Sequence, residues 1–355
     1  MAICNEAFPR LARSTDRDLI RTDDGKVARL ASFRRAQRVA SSFDPQDLQD
    51  EFDELSIRFE ADQATLWCLV NHSERPCFTQ RLLDQIRALQ TRLRQGLAPA
   101  ALSDSMPVRT IVWGSTFPGI WNLGGDLALF ARLIRAGAEE ELRQYAYTCV
   151  HAVYDNLTNM GLPVLTIGLV QGDALGGGFE HALTNDLIIA ERGSRMGLPE
   201  VLFNLFPGMG AYSLLCRRLD AVRAQKLILS GRLYDAEELE ELGLVDLVVD
   251  PGEGPAAVRE YLERNRRRHG TLLALSRVRQ RCQPVTYEEL IDVTDVWVET
   301  ALGLDEADLR RMEHLARAQL RRHARTRNDR AVGRIAAERD ESERSAGIFG
   351  GRLSV

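Results

Sequence analysis

The feature that most constrains this chain is its rhythm. Short apolar runs at 108–113, 163–170, 186–190 and 244–249 are separated by stretches of helical period. Runs of that length suit strands buried on both faces, and the alternation with helices is the pattern of parallel βαβ units. The fold class read from the sequence is therefore α/β.

Two further elements precede that region. Alternating Ile57 and Phe59, followed by the run from Thr65 to Val70, reads as two strands joined by a turn at 61–63. From Thr79 to Gln95 the residues Leu82, Leu83, Ile86, Leu89 and Leu93 recur every three or four positions. They predict an amphipathic helix that ends at Gly96 and packs on the sheet. After Pro251 the character changes, with helical patterns at 255–267, 271–282, 287–301 and 305–324 and no strand between them. The organisation expected is a charged N-terminal extension over 1–50 and an α/β core over 51–252. A helical region over 253–325 and a tail over 326–355 complete it.

Composition narrows the function classes. A formal charge of -5 and a pI near 5.8 argue against binding nucleic acid through a general basic surface. Only Lys26 and Lys226 are lysines, so arginine carries nearly all the positive charge, a bias that says little about phosphate recognition. Six scattered cysteines without a C-x-x-C pair read as reduced thiols, and the expected compartment is the cytoplasm. Residues 1–30 show no secretory apolar core, and no run of 18 apolar residues predicts a membrane span. No metal-ligand spacing and no Gly-x-Ser-x-Gly elbow is present, and neither metal nor cofactor is expected.

The chemistry concentrates in Gln171-Gly-Asp-Ala-Leu-Gly-Gly-Gly-Phe-Glu180, which follows a strand and opens a helix. A helix N-terminus leaves N–H groups unpaired and carries partial positive charge, so the Gly177 N–H suits an oxygen that becomes negative. Such a turn also serves tight packing without any ligand. A second one, Asn122-Leu-Gly-Gly-Asp126, opens a helix striped by Leu127, Phe130 and Ile134 that ends at Gly137, and places Gly125 as a donor from the opposite side. Glu180 falls one helical turn beyond Gly177 among Phe179, Ala182 and Leu183. Glu200, in Met196-Gly-Leu-Pro-Glu200-Val-Leu-Phe, is again flanked by apolar residues; alone it would read as a helix-start glutamate behind Pro199. Two carboxyls in apolar surroundings hold protons longer, as acid/base work near neutral pH requires. His181 reads as a neighbour packing outward.

Gly-Gly-Asp-Leu, Ala-Leu-Gly-Gly-Gly-Phe-Glu, Gly-Leu-Pro-Glu and Phe-Pro-Gly-Met-Gly, in this order, resemble the crotonase (enoyl-CoA hydratase/isomerase) superfamily. The resemblance spans roughly 52–325. It implies a ββα-repeat spiral core, a thioester oxygen held by the Gly125 and Gly177 N–H groups, and Glu180 and Glu200 as catalytic carboxylates. It also implies a homotrimer or hexamer.

The segments 203–213, 122–130 and 296–301 are more closely similar to bacterial synthases of diffusible signal factors. That likeness implies dehydration of a 3-hydroxyacyl thioester borne by acyl carrier protein, then hydrolysis releasing a cis-2-enoic acid, with a sensor protein as a possible regulatory partner. Leu175, Met209, Tyr212 and Trp297 are candidate linings of an acyl pocket, and the basic stretch 317–327 a candidate dock for the carrier. A generic enoyl-CoA hydratase or isomerase and a non-catalytic binding protein on the same fold are the alternatives. Residues 1–50, the tail beyond about 325 and the loop 114–121 depart from the family pattern.

Overall fold

The four apolar runs form strands of one sheet, and short strands between them form a second, smaller sheet. The computed structural model describes residues 43–321 apart from 73–74, 103–105 and 319. The extension expected before residue 43, the tail beyond 321, Cys4 and most of the basic stretch 317–327 lie outside the described residues.

Strand β1 (Leu55–Glu60) pairs antiparallel with β2 (Thr65–Val70), and helix α1 (Gln80–Leu97) follows. Next come β3 (Thr110–Ser115), β4 (Gly119–Asn122), α2 (Leu127–Ala136) and α3 (Glu139–Leu157). A second unit repeats the order with β5 (Leu165–Val170), β6 (Gly172–Leu175) and α4 (Gly177–Leu183). A third gives β7 (Leu187–Glu191), β8 (Arg195–Gly197), a 3-10 turn (Pro199–Phe203) and α5 (Ala211–Arg218). The core closes with α6 (Ala221–Ser230), β9 (Leu233–Asp235), α7 (Ala236–Glu241) and β10 (Leu247–Val249). Helices α8 (Gly254–Asn265), α9 (His269–Cys282), α10 (Tyr287–Leu302) and a last helix over 306–318 make the C-terminal region helical, as expected.

The larger sheet has the order β1-β2-β3-β5-β7-β10 and is parallel from β2 onward. The smaller sheet has the order β4-β6-β8-β9, with β4, β6 and β8 parallel. Each β3–β4, β5–β6 and β7–β8 step is a sharp corner that carries the chain from one sheet to the other. Because β4, β6 and β8 run parallel as neighbours, their C-terminal ends lie together. The loops after Asn122, Leu175 and Gly197 therefore emerge side by side, which is where parallel α/β sheets build their sites.

Packing begins slightly ahead of residue 51, since Leu48 is fully buried against the core. The stripe of α1 is buried as the periodicity predicts. The helix does not stop at Gly96, however. A Cβ there would overlap the Phe43 ring, so this glycine admits a packing partner within the helix instead of ending it. Helix α2 does end as read, with Gly137 left-handed at φ 62° and its N–H closing onto the helix carbonyls.

Candidate active site

The loop after β4 is held by its own side chains. Asn122 Oδ1 accepts from Gly124 N–H (2.7 Å), Gly124 C=O accepts from Phe78 N–H (2.7 Å), and Pro76 C=O accepts from Leu123 N–H (2.8 Å). Asp126 caps α2 by accepting from Leu129 N–H (3.1 Å) and pairs with Arg75 (2.7 Å). The Tyr145 hydroxyl, buried on α3, accepts from Asp126 N–H (3.1 Å) and donates to Phe78 C=O. These contacts occupy the polar groups around Gly125 but not its own N–H, which donates to no group among the described residues.

The loop after β6 closes on the first with no side chains between them. Gly124 has φ 88°, and a Cβ on it would lie 2.8 Å from Gly177 N and 2.7 Å from Leu175 O. Gly176 adopts φ 53°, ψ -126°, a region open in practice only to glycine, and a Cβ there would overlap Glu200 Oε1. Gly177 N–H, first in α4, also lacks an acceptor among the described residues. The two glycine turns thus bring two free N–H groups against one cavity.

That cavity is lined by Gly125, Gly176, Gly177, Glu180 and Glu200 together with Leu123, Leu127, Phe130, Tyr145, Cys149, Phe203, Leu205, Met209, Trp297 and Leu315. Apart from the two carboxyls its walls are mostly apolar. Glu180 is 1% exposed, and its Oε1 accepts from Met209 N–H and Ala211 N–H, both at 2.8 Å. Glu200 rides on the 3-10 turn opened by Pro199, and its Oε2 is buried without a partner among the described residues. Desolvation raises both carboxyls above the ordinary glutamate value, Glu200 further through repulsion from Glu180, while the two N–H donors oppose the rise at Glu180. Burial and mutual repulsion therefore favour a proton retained within the pair, more strongly at Glu200 than at Glu180.

Of the residues anticipated for an acyl pocket, Met209 and Trp297 line the cavity. Leu175 is buried at the end of β6 but is not among the lining residues. Tyr212 is 45% exposed and outside the cavity, because Ala211, Ser213, Leu214 and Leu215 turn the inner face of α5 to the core and leave Tyr212 on the outer one. His181 does not pack outward. It is 3% exposed, stacked on Trp121 and edge-on to Phe78 and Trp113 at centroid distances of 5.4–5.8 Å. Burial pushes its pKa down to about 4, so it is a neutral core residue.

The reading by residue type missed Tyr145, Cys149 and the backbone donors Met209 and Ala211. The first two lie on the buried face of α3, a helix with no motif, and backbone donors leave no sequence signal. Among the described residues no group of three or more His, Cys, Asp or Glu side chains is placed to hold a metal, and no helix is long and apolar enough to cross a membrane.

The family model for enoyl-CoA hydratase/isomerase matches residues 87–266, half of the chain, including both glycine turns and both glutamates. The chain belongs to the enoyl-CoA hydratase/isomerase family. Its α/β core has the crotonase fold, as solved structures also show. One is an enoyl-CoA hydratase from Bacillus halodurans, with TM-score 0.60 and 20% identity over 74% of this chain and all of that one. Another is DspI of Pseudomonas aeruginosa, with TM-score 0.54 and 25% identity over 73% of this chain and 94% of that one. The mitochondrial methylglutaconyl-CoA hydratase of Rattus norvegicus is 36% identical over 164 residues, 46% of this chain and 50% of the relative. The human counterpart matches over the same length at the same identity. This chain spans about half the length of the curated relatives it matches.

Proposed function

We propose that this family member interconverts 3-hydroxyacyl and 2-enoyl thioesters, with Glu180 and Glu200 as the acid/base pair and the Gly125 and Gly177 N–H groups holding the thioester oxygen. The observation that carries the reading is the meeting of two acceptorless N–H groups and two carboxyls, Glu180 held by two N–H groups and Glu200 with a buried, unpartnered Oε2, in a single apolar cavity. In the dehydrating direction the ionised carboxylate takes the α-proton, and the electron pair of that C–H bond moves onto the thioester as an enolate. The enolate oxygen is stabilised by both N–H groups. The pair then returns to form the α,β double bond as the β C–O bond breaks. The hydroxyl leaves as water with the proton of the second carboxyl. A resting pair with Glu180 ionised and Glu200 protonated supplies the one acceptor and one donor that each turnover consumes.

The likeness of 122–130, 203–213 and 296–301 to synthases of diffusible signal factors supports a second step, hydrolysis of the enoyl thioester. The same two N–H groups would hold the tetrahedral oxygen while a glutamate takes the proton of the attacking water; the intermediate would then collapse with cleavage of the C–S bond, the carrier's thiol leaving with that proton and the cis-2-enoic acid going free. In this reading the substrate arrives on acyl carrier protein in the cytoplasm, and the chain assembles as a homotrimer or hexamer. The 36% identity to methylglutaconyl-CoA hydratase favours a second reading, hydration of an enoyl-CoA without thioester cleavage.

Mass spectrometry of products from a 3-hydroxydodecanoyl thioester, supplied on carrier protein and on CoA, separates the two. Free 2-enoic acid from the wild type, absent with Glu180→Gln and Glu200→Gln, supports the synthase. Enoyl thioester without free acid supports the hydratase, and no turnover on either carrier overturns both.

A further inference from the structure

Carbons of an acyl chain beyond the β position have to lie against the apolar lining of the cavity, and an aromatic cluster is part of that lining. Phe130, on α2 one turn past the Asp126 cap, packs edge-on against Tyr145 (centroids 5.3 Å, 82°) and Trp297 (5.1 Å, 65°). Its ring tip also abuts the oxyanion turn, since a Cβ on Gly125 would lie 2.6 Å from Phe130 Cζ. The three rings come from α2, α3 and α10, and all three line the cavity.

Phe130 differs from its two neighbours in packing against both of them and in carrying no polar group. The Tyr145 hydroxyl ties Asp126 N–H to Phe78 C=O, and the Trp297 indole buttresses Gly208, where a Cβ would lie 2.5 Å from its Cδ1. Phe130 offers only apolar bulk. We propose that Phe130 is the residue that sets acyl-chain length, its ring filling space that a longer chain would need. The proposal rests on the thioester reading above and deepens it to a substrate class.

A hydrophobic pocket discriminates one methylene by about 10–200-fold. Wild type, Phe130→Leu and Phe130→Ala are therefore compared on 3-hydroxyacyl thioesters of six to sixteen carbons, by kcat/KM at each length. Phe130→Leu is included because a full truncation to alanine in a core can itself unfold the chain. The expected result is an optimum shifted to longer chains, with the ratio of longest to shortest substrate rising at least about tenfold. That ratio is unaffected by partial unfolding or by a loosened Gly125, which lower all lengths alike. An unchanged ratio in both variants overturns the assignment. If the wild type turns over none of the series, the thioester reading has failed. Calorimetric binding of saturated fatty acids of eight to sixteen carbons then tests Phe130 by itself, with a shifted affinity optimum supporting it and an unshifted one overturning it.

Discussion

Glu180 and Glu200 face one cavity with unequal support: Glu180 Oε1 accepts two backbone N–H groups, and Glu200 Oε2 accepts none among the described residues. Two like carboxyls in one apolar space cannot both ionise cheaply, so the unequal support decides which one keeps the proton. The donors at Met209 and Ala211 flank the left-handed Gly210 at φ 113°, a turn that α10 holds through Thr294 Oγ1 donating to Gly208 C=O. The protonation state of the pair is thus set partly by a helix distant in sequence.

Replacing either carboxyl by its amide keeps its shape and removes proton transfer. Glu180→Gln and Glu200→Gln should each lower kcat by about 10²–10⁴-fold with an unchanged circular-dichroism spectrum. Steady-state rates on the thioester substrates give the check, and a variant within threefold of wild type would remove that residue from the mechanism.

Gly176→Ala should be far more damaging than an ordinary glycine substitution. The backbone conformation at φ 53°, ψ -126° costs a non-glycine residue about 1–3 kcal/mol, and the new Cβ displaces the Glu200 carboxyl. A lower melting temperature together with loss of activity is expected. Gly243→Ala, also at positive φ but with open space around its Cβ position, should lower the melting temperature alone.

Stability should fall on both sides of a mildly acidic optimum. His181 is held well below its ordinary value of 6.5, at about 4, so the unfolded chain binds the extra proton. Its contribution is intact above pH 6.5 and is lost as the pH falls toward 4. Glu180 and Glu200 are raised above 4.5, so the folded chain holds the extra proton. Their contribution is intact below pH 4.5 and is lost as the pH rises through neutrality. Melting temperatures across pH 4–9 should show both limbs. His181→Leu should flatten the acid limb and Glu200→Gln the alkaline one.

Arg135, on α2, reaches Glu306 (3.0 and 2.9 Å) and Glu313 (2.6 Å) on the helix over 306–318, whose Leu315 lines the cavity. These groups are solvent-accessible, so Arg135→Ala should leave global stability nearly unchanged. Hydrogen exchange should nevertheless quicken in 306–318 relative to the rest of the chain. Equal protection there would show that Leu309 and Met312, both buried, seat the helix without the ion pairs.

The sequence by itself determined the α/β class, the two glycine turns, the α2 boundaries and Glu180 and Glu200 as candidate carboxyls, because each rests on a local rule. Apolar runs make buried strands, a glycine turn ahead of a helix exposes N–H groups, and a carboxyl among apolar residues is out of place. Only the tertiary structure decided the rest. The strands of the small sheet, at three or four residues, are too short to show a period, and no local pattern says that their C-terminal ends meet. The direction of His181 and of Tyr212 depended on which helix face met the core, and both turned opposite to their sequence reading. The imbalance within the glutamate pair came from two peptide N–H groups, which every residue but proline carries and no sequence position advertises.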